Sequence, residues 1–239
     1  MGAILVIMFV LFVALGVPIS FALGVVSFTG IASLAQIPNT VVFSKMFNGL
    51  NSFTLLAVPL FILAANLMNE GEITEKLIDC CNALVGHFRG GLAYSNVLVS
   101  MIFAGISGSS QADTAGVGKI FIPAMEKQGY DKGTSVGVTA ASSTLGSIIP
   151  PSITMVVYAG IANVSTGALF MSGLVPGILL GLAMMAVVKL YSKKKNFPQC
   201  ERVSAKDAMK LVWQSMPALL TPIILIGGIV SGLFTPTES

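Results

Sequence analysis

The sequence predicts an all-α protein that crosses a membrane several times, and two observations support this fold class. Of its 239 residues, 54% are hydrophobic and only 10% are charged, whereas soluble domains carry roughly 25% charged residues. A membrane-spanning helix needs about 20 mainly apolar residues. Charge-free runs of at least that length cover residues 1–44, 46–69, 90–112, 133–188 and 211–237. A soluble fold would need a polar shell that this composition does not provide.

The first run is too long for one upright helix. Residues 2–35 carry no charge, and at 1.5 Å per residue a single helix would exceed the membrane thickness. Gly16 and Pro18 stand in the middle of the run, so we predict two segments or one kinked, tilted helix. We expect a loop around residues 36–48 and a further span from about Phe53 to Met68.

Residues 70–89 have a different character, because charged side chains alternate with apolar ones at helical spacing. Such a pattern is typical of an amphipathic helix that lies in the membrane interface. The apolar positions that form this face are Ile73, Leu77, Ile78, Cys81, Leu84 and Val85.

The next run predicts a re-entrant hairpin over residues 90–128. Its apolar first half ends in a segment rich in Gly, Ser and Gln, residues 105–113, and these residue types continue a helix poorly. A second helix, at about 114–128, then leads to a charged loop. This order indicates a chain that enters the membrane and returns to the same side.

A broken helix is predicted over residues 133–160. Polar residues and the pair Pro150–Pro151 interrupt it between 142 and 154, and consecutive prolines remove two backbone donors. A further helix is predicted at 168–190.

The most basic loop, residues 189–210, holds seven Lys and Arg against two acids. The positive-inside rule places this loop in the cytoplasm. Counting crossings backwards then puts the 113–132 loop and the amphipathic helix on the same side.

The last segment, residues 211–239, predicts a membrane helix and the start of another element. Thr235-Pro-Thr-Glu238 has the pattern of a capping box that begins a helix. We therefore expect this chain to be a truncated part of a longer one.

The two predicted helix breaks are the candidate functional site. Lipid cannot satisfy free backbone groups, so broken helices persist only where protein, ions or water complete their hydrogen bonds. In transporters, unwound carbonyls hold Na⁺ and half-helix N-termini face anions. Hydroxyl and carbonyl oxygens suit a small alkali cation, although small residues also permit close helix packing. The candidate Na⁺ ligands are Ser107, Gly108, Ser109 and Ser110 at the first break and Ser142, Ser143, Thr144, Gly146, Ser147 and Ser152 at the second.

Asp113 is the single acid between Asp79 and Glu126. An ionisable group at membrane depth is a candidate for function, here as a cation ligand. The spacing Ser110-x-x-Asp113 also fits a capping box, in which the carboxylate would only secure the start of a helix. Both roles can hold together.

Enzyme chemistry has little support in this sequence. It contains no HExxH, GxSxG or Walker motif, and its one His and three Cys cannot form a triad or a zinc site. No basic stripe suggests nucleic acid, and no organic cofactor is expected. Energy for any transport would have to come from an ion gradient or from a partner.

At these same residues the sequence resembles the large membrane (M) subunit of TRAP transporters, the tripartite ATP-independent periplasmic transporters. The similarity follows the chain in order over almost its whole length, with Gln111 replacing an expected small residue. The matching stretches are 57–63, 67–69, 90–91, 105–113, 124–125, 129–131, 139–142, 149–153, 161–163 and 227–239.

The resemblance implies an elevator-type transporter with inverted repeats, of which this chain supplies the first. Residues 1–69 would be scaffold helices, 70–89 an arm helix and 90–188 part of the transport domain. The family's Na⁺ sites map onto Ser107, Gly108, Ser109 and Asp113 and onto the 142–152 break, which includes Pro150.

The resemblance also implies partners and a location. These are a small membrane (Q) subunit, a periplasmic binding protein (P), the remainder of the M subunit, a carboxylate substrate and the bilayer of a bacterial inner membrane. C4-dicarboxylates and sialic acids are the family's substrates, and overall similarity favours sialic acid. Two alternatives stay open, a similar elevator-type carboxylate carrier that needs no binding protein and a membrane scaffold subunit that transports nothing.

Overall fold

The computed structural model describes residues 2–33, 38, 40–51, 56–70, 73–195, 197–199 and 203–235. Within these ranges the regular elements are all helical, which confirms the all-α class. The helices are α1 (Gly2–Ala14), α2 (Ile19–Ala32), α3 (Thr40–Leu50), α4 (Ala57–Glu70), α5 (Ile73–Val85), α6 (Gly91–Ser107), α7 (Ser110–Lys127), α8 (Lys132–Ser143), a 3₁₀ helix (Thr144–Ser147), α9 (Ile153–Ala162), α10 (Thr166–Lys195), α11 (Ala205–Gln214) and α12 (Met216–Val230).

The chain divides into two compact units, and the first is Met1–Ser52. In this unit α1 and α2 are separate helices, because Gly16 adopts φ 80° and Pro18 occupies the N-cap of α2. Gly30 of α2 packs against Leu5 of α1. None of the described residues of α1 is buried, so its apolar side chains are free to face lipid.

The loop predicted around residues 36–48 is wrong over its second half, where α3 runs from Thr40 to Leu50. The apolar residues of this segment recur at helical spacing, and this spacing, rather than the charge pattern, indicates the helix. Phe43 of α3 meets Phe28 of α2 edge-on, with ring centroids 6.4 Å apart.

The second unit, Phe53–Ser239, contains the candidate site. One buried cluster joins α5, α6, α7 and α10, and its largest members include Phe103 and Phe121. A second cluster joins α4, α9, α10 and α12 around Phe61 and Phe170. These two clusters hold α6 and α9 in fixed positions on either side of the helix breaks.

Helices α6 and α7 form a hairpin, because Asn96 near the start of α6 contacts Met125 near the end of α7. The second helix begins at Ser110, four residues before the predicted start. Helix α8 ends at Ser143 and α9 begins at Ile153, within the stretch predicted as a break. The Pro150–Pro151 bond in this stretch is cis.

Helix α10 extends beyond its predicted end. It has 30 residues and continues to Lys195, into the segment predicted as a basic loop. Lysines at a helix C-terminus interact favourably with the helix dipole, so this charge extends the helix instead of ending it. Within the described part of the chain, this helix alone is long and apolar enough by itself to span a membrane.

The last predicted span, from about Leu211, is interrupted at Ser215. Helices α11 and α12 meet there at 52° and satisfy the length and hydropathy of one span only as a pair. Pro217 at the start of α12 has no N–H for the preceding turn, which explains the bend. The capping box predicted at residues 235–238 lies mostly outside the described residues.

Charged and aromatic contacts fasten the start of α8 to the end of α10. Asp131 caps α8 by accepting a hydrogen bond of 2.9 Å from the Thr134 amide. It also accepts one of 2.7 Å from the Lys195 ammonium. Tyr130 stacks on Phe197 with centroids 4.5 Å apart.

Candidate ion-binding site

The tip of the α6–α7 hairpin touches the break between α8 and α9. Gly108 is the left-handed C-cap of α6, at φ 60°. Its carbonyl accepts a hydrogen bond of 3.0 Å from the Ile153 amide. A Cβ atom on Gly108 would lie 2.6 Å from the Pro151 carbonyl oxygen. Only glycine allows both this backbone conformation and this approach.

A second contact brings the other side of the tip to the same break. A Cβ atom on Gly146 would lie 3.0 Å from both the Ser109 carbonyl carbon and the Ser110 amide nitrogen. Gly108, Ser109 and Gly146, three of the predicted ligands, therefore lie together.

Four helix ends converge at this crossing. Helix α6 and the 3₁₀ helix that continues α8 end there with their carbonyl groups, and α7 and α9 begin there with their amide groups. Carbonyl ends attract cations and amide ends attract anions, because each carries unsatisfied backbone groups and a partial charge. The crossing therefore presents backbone groups suited to cations and to anions side by side.

Serine side chains cap the two returning helices. Ser109 accepts a hydrogen bond from the Ala112 amide at 3.3 Å and donates one to the Gln111 side chain at 3.2 Å. Ser152 accepts from the Met155 amide and donates to the Ser147 carbonyl at 2.9 Å. This contact to Ser109 gives Gln111 a structural position at the tip.

The hydroxyls of the second break donate to backbone carbonyls. Ser143 donates to the Thr139 carbonyl at 2.8 Å, and Thr144 donates to the Ala141 carbonyl at 2.7 Å. A hydroxyl has one proton and two lone pairs, so these oxygens keep the capacity to bind a cation. Ser143 is buried, whereas Thr144 is exposed and stands apart from the crossing.

Asp113 is fully buried, one turn into α7. Neither carboxylate oxygen has a hydrogen-bond partner, although the hydroxyls of Ser100 and Ser143 lie close to it. The predicted capping box is wrong, because Ser109 and not Ser110 caps this helix and the Asp113 carboxylate reaches no amide. A buried carboxylate without a partner is strongly unfavourable unless a cation or a proton compensates it.

A buried polar network beside Asp113 was missed from the sequence. Asn96 donates to the Thr139 hydroxyl at 2.7 Å. Ser100 donates to the Ser142 hydroxyl at 3.0 Å, and Ser142 donates to the side-chain amide oxygen (Oδ1) of Asn96 at 3.3 Å. The signal was present, since Asn96 and Ser100 share one face of an otherwise apolar helix. Ser142 thus belongs to this network and not to the crossing itself.

The remaining predicted ligands lie around the crossing. Ser107 is buried at the end of α6, and its hydroxyl is 3.5 Å from the Ser109 carbonyl. Pro150 is buried in the break, with its carbonyl oxygen 3.6 Å from where a Cβ atom on Gly105 would lie. In the part of the chain that the structure describes, no three His, Cys, Asp or Glu side chains cluster. The site's chemistry is that of hydroxyl and carbonyl oxygens with one carboxylate.

Comparison with known proteins identifies the family of this chain. The family described as "Tripartite ATP-independent periplasmic transporter, DctM component" matches residues 6–239. The chain is 40% identical to the sialic acid TRAP transporter permease protein SiaT of Haemophilus influenzae, over 99% of this chain and 38% of that protein. It is 45% identical to the C4-dicarboxylate TRAP transporter large permease protein DctM of Pseudomonas aeruginosa, over 82% of this chain and 46% of that protein.

A third relative is the uncharacterized protein YgiK of Salmonella typhimurium, 43% identical over 97% of this chain and 54% of that protein. The chain thus spans about half the length of the curated relatives it matches. The relatives whose names state a function are permeases, in agreement with the prediction of a transport protein and not an enzyme. The match over residues 6–239 shows that this chain belongs to the DctM family of TRAP transporter membrane components.

Proposed function

We propose that this chain is the part of a permease that binds Na⁺ and couples its entry to the uptake of a carboxylate. The contact between the two helix breaks carries this proposal. Because Gly108 and Gly146 seat each break against the other, carbonyl ends, hydroxyls and a buried carboxylate are concentrated in one region. This is the chemistry expected of an alkali cation site between discontinuous helices.

Within this site we assign complementary roles. The end of α6, with Ser107, Gly108 and Ser109, would supply carbonyl and hydroxyl oxygens to Na⁺. Asp113 would supply the negative charge, and Ser143 would stand between it and the break. The charge of the cation would compensate the buried carboxylate, which has no hydrogen-bond partner of its own.

The substrate proposal rests on the helix N-termini and on the relatives. The starts of α7 and α9 favour an anionic group. Relatives are named for sialic acid and for C4-dicarboxylates, both of which carry carboxylates. We propose a substrate of this class, and sialic acid as the first to test.

The family name supports a multi-component system. We propose that a periplasmic binding protein delivers the substrate, that a small membrane subunit and the rest of the permease complete the complex, and that the assembly crosses the bacterial inner membrane several times. Residues 90–128 would form a re-entrant hairpin, and the unit that carries it would move as an elevator. The predicted position of the breaks at membrane depth supports the re-entrant hairpin, whereas the elevator movement is what the resemblance to the family implies.

The test is uptake of labelled sialic acid or succinate by the complete complex in proteoliposomes, with Na⁺ replaced by choline. We expect uptake to require both Na⁺ and the binding protein. Ser143→Ala should weaken it, because the hydroxyl beside Asp113 is lost. Ser172→Ala is the matched control, since Ser172 also donates to a carbonyl of its own helix but is itself exposed on the surface of α10.

Three outcomes would contradict parts of this proposal. Equal uptake in choline would exclude Na⁺ coupling. Full uptake without the binding protein would favour a carrier that needs none. Normal uptake by both Ser143→Ala and Asp113→Ala would favour a scaffold role for this half of the permease.

A further inference from the structure

A cavity of about 660 Å³ lies between α6, α8 and α10. Leu180 and Met184 at one end of its lining pack against Leu145 and Ile149 of the second helix break. Small side chains on α8 create much of this space. At Gly137 an added Cβ atom would meet nothing within 4 Å. The volume is in the range of ligand sites in proteins, roughly 300–1,000 Å³. The remaining α8 contributions to its apolar wall are Val138 and Ala141.

The cavity is polar at one end and apolar along the rest. On α10 its lining runs from Leu180 through Met184 and Val188 to Tyr191 and Lys195. These positions recur every three or four residues, so they share one face of the helix. The stretch is about 22 Å long at 1.5 Å per residue. The lining changes from apolar residues to Tyr191 and then to Lys195. The same order is found in membrane helices, from the hydrocarbon core through the interface to water.

One lysine lines the polar end of the cavity, and further lysines stand beside it in the sequence. Lys195 lines the cavity, and Lys193 and Lys194 precede it on the last turn of α10. Lys132 is the first residue of α8. Asp131 is the one acid that lines the cavity, and its ion pair with Lys195 leaves both side chains about half exposed. An exposed pair of this kind contributes little stability, so Lys195 can bind another anion at low cost.

From this geometry we infer that the cavity binds an anionic phospholipid, with one acyl chain between α8 and α10 and the headgroup phosphate at Lys195. The apolar length fits an extended hydrocarbon chain, and the basic mouth fits a phosphate. Basic pockets between membrane helices on the cytoplasmic side are known to favour anionic headgroups, and the basic 189–210 segment is predicted to be cytoplasmic.

The test uses the complete permease purified from vesicles of phosphatidylcholine and phosphatidylglycerol, with retained lipids counted by native mass spectrometry. Gly137→Leu fills the cavity and should remove one retained phosphatidylglycerol per permease. Gly227→Leu is the matched control, because Gly227 is also an exposed helical glycine with open space around it. Melting temperatures without phosphatidylglycerol establish that both variants fold.

A second pair of variants tests the headgroup contact. Lys195→Gln should lower the preference for phosphatidylglycerol over phosphatidylcholine about fivefold, the effect expected of one lysine near a lipid headgroup. Lys193→Gln, which changes the same helical turn but does not line the cavity, should have a smaller effect.

Equal retention by the wild type and Gly137→Leu would overturn the proposal and would indicate that the rest of the permease fills the cavity. Equal preference in Lys195→Gln and Lys193→Gln would also overturn it, because the headgroup would then not be at Lys195. The measurements need no substrate and no Na⁺ gradient, so they are independent of the transport proposal.

Discussion

Two regions of the molecule place an aspartate near the start of a helix, and they treat it in opposite ways. At the mouth of α8, Asp131 is exposed and accepts hydrogen bonds from Lys195 and from both the amide and the hydroxyl of Thr134. At the crossing of the helix breaks, Asp113 is fully buried and accepts none.

This difference is the basis on which we propose a structural role for Asp131 and a functional role for Asp113. Asp131 has its partners within the chain, so its charge fixes the start of α8 and nothing more is needed. Ser109 already caps the helix on which Asp113 lies, so the Asp113 carboxylate is not needed as a cap. A buried carboxylate without a hydrogen-bond partner needs a cation or a proton to compensate it, and this is why we propose Asp113 as a cation ligand.

The largest effect should come from replacing Asp113. Asp113→Asn keeps the shape and removes the charge, so the Na⁺ concentration for half-maximal uptake should rise about tenfold or more, a loss of at least about 1.4 kcal/mol. Without Na⁺ the variant should melt no lower than the wild type, because an unpaired buried charge has been removed. Uptake against Na⁺ concentration and thermal melting measure the two effects.

Asp131→Asn is the control and should leave the Na⁺ dependence unchanged. If both variants shift the Na⁺ dependence equally, the distinction between the two regions is wrong.

The next effect concerns the contact that brings the breaks together. Gly108→Ala should lower both stability and uptake, because its Cβ atom would lie 2.6 Å from the Pro151 carbonyl oxygen. Gly129→Ala controls for backbone strain, since Gly129 has φ 92° with nothing within 4 Å. Each substitution costs roughly 1–2 kcal/mol for a left-handed residue. The clash at Gly108 should add about 1–3 kcal/mol, visible in melting. Equal losses of stability in Gly108→Ala and Gly129→Ala would show that the close contact between the two helix breaks does not contribute to stability.

A smaller effect should follow from removing one hydroxyl from the polar network beside Asp113. Thr139→Val removes the oxygen acceptor of the buried Asn96 amide, which keeps only its weak contact with the Met125 sulfur, and should cost about 1–3 kcal/mol of unfolding free energy. Thr221→Val is matched, because Thr221 likewise bonds a carbonyl four residues earlier but receives no side-chain donor. Thermal unfolding compares the two. If they destabilise equally, the network does not hold α6 against α8.

The smallest effect belongs to the exposed pair at α8. The Lys195 ammonium, followed by the Thr134 hydroxyl and amide, lowers the pKa of Asp131 to about 2. An unfolded aspartate has a pKa of about 3.9, so the stabilisation is present above that pH and is lost as the pH falls through about 2. The difference in melting temperature between wild type and Asp131→Asn should therefore be small, fall with added salt and disappear towards pH 2. A difference that persists there would exclude the ion pair as its cause.

The sequence by itself determined the class and the family of this protein. Hydropathy and charge are properties of single segments, and so are the lost donors of Pro150 and Pro151 and the poor helix continuation after Gly105. These local signals predicted an all-α membrane protein, and they predicted helix breaks in the stretches where the structure has them. The family followed from the matching stretches that recur in order along the chain.

The tertiary structure alone decided what those breaks do to each other. Gly108 meets Pro151 and Asn96 meets Thr139 across more than forty residues of chain, and no local pattern specifies such a pairing. The role of Asp113 likewise depends on packing. Its spacing from Ser110 fits a cap in the sequence, but in the structure Asp113 is buried and Ser109 is the cap. Local chemistry sets where a helix must end, whereas burial, which depends on every neighbouring element, sets whether a charge is satisfied.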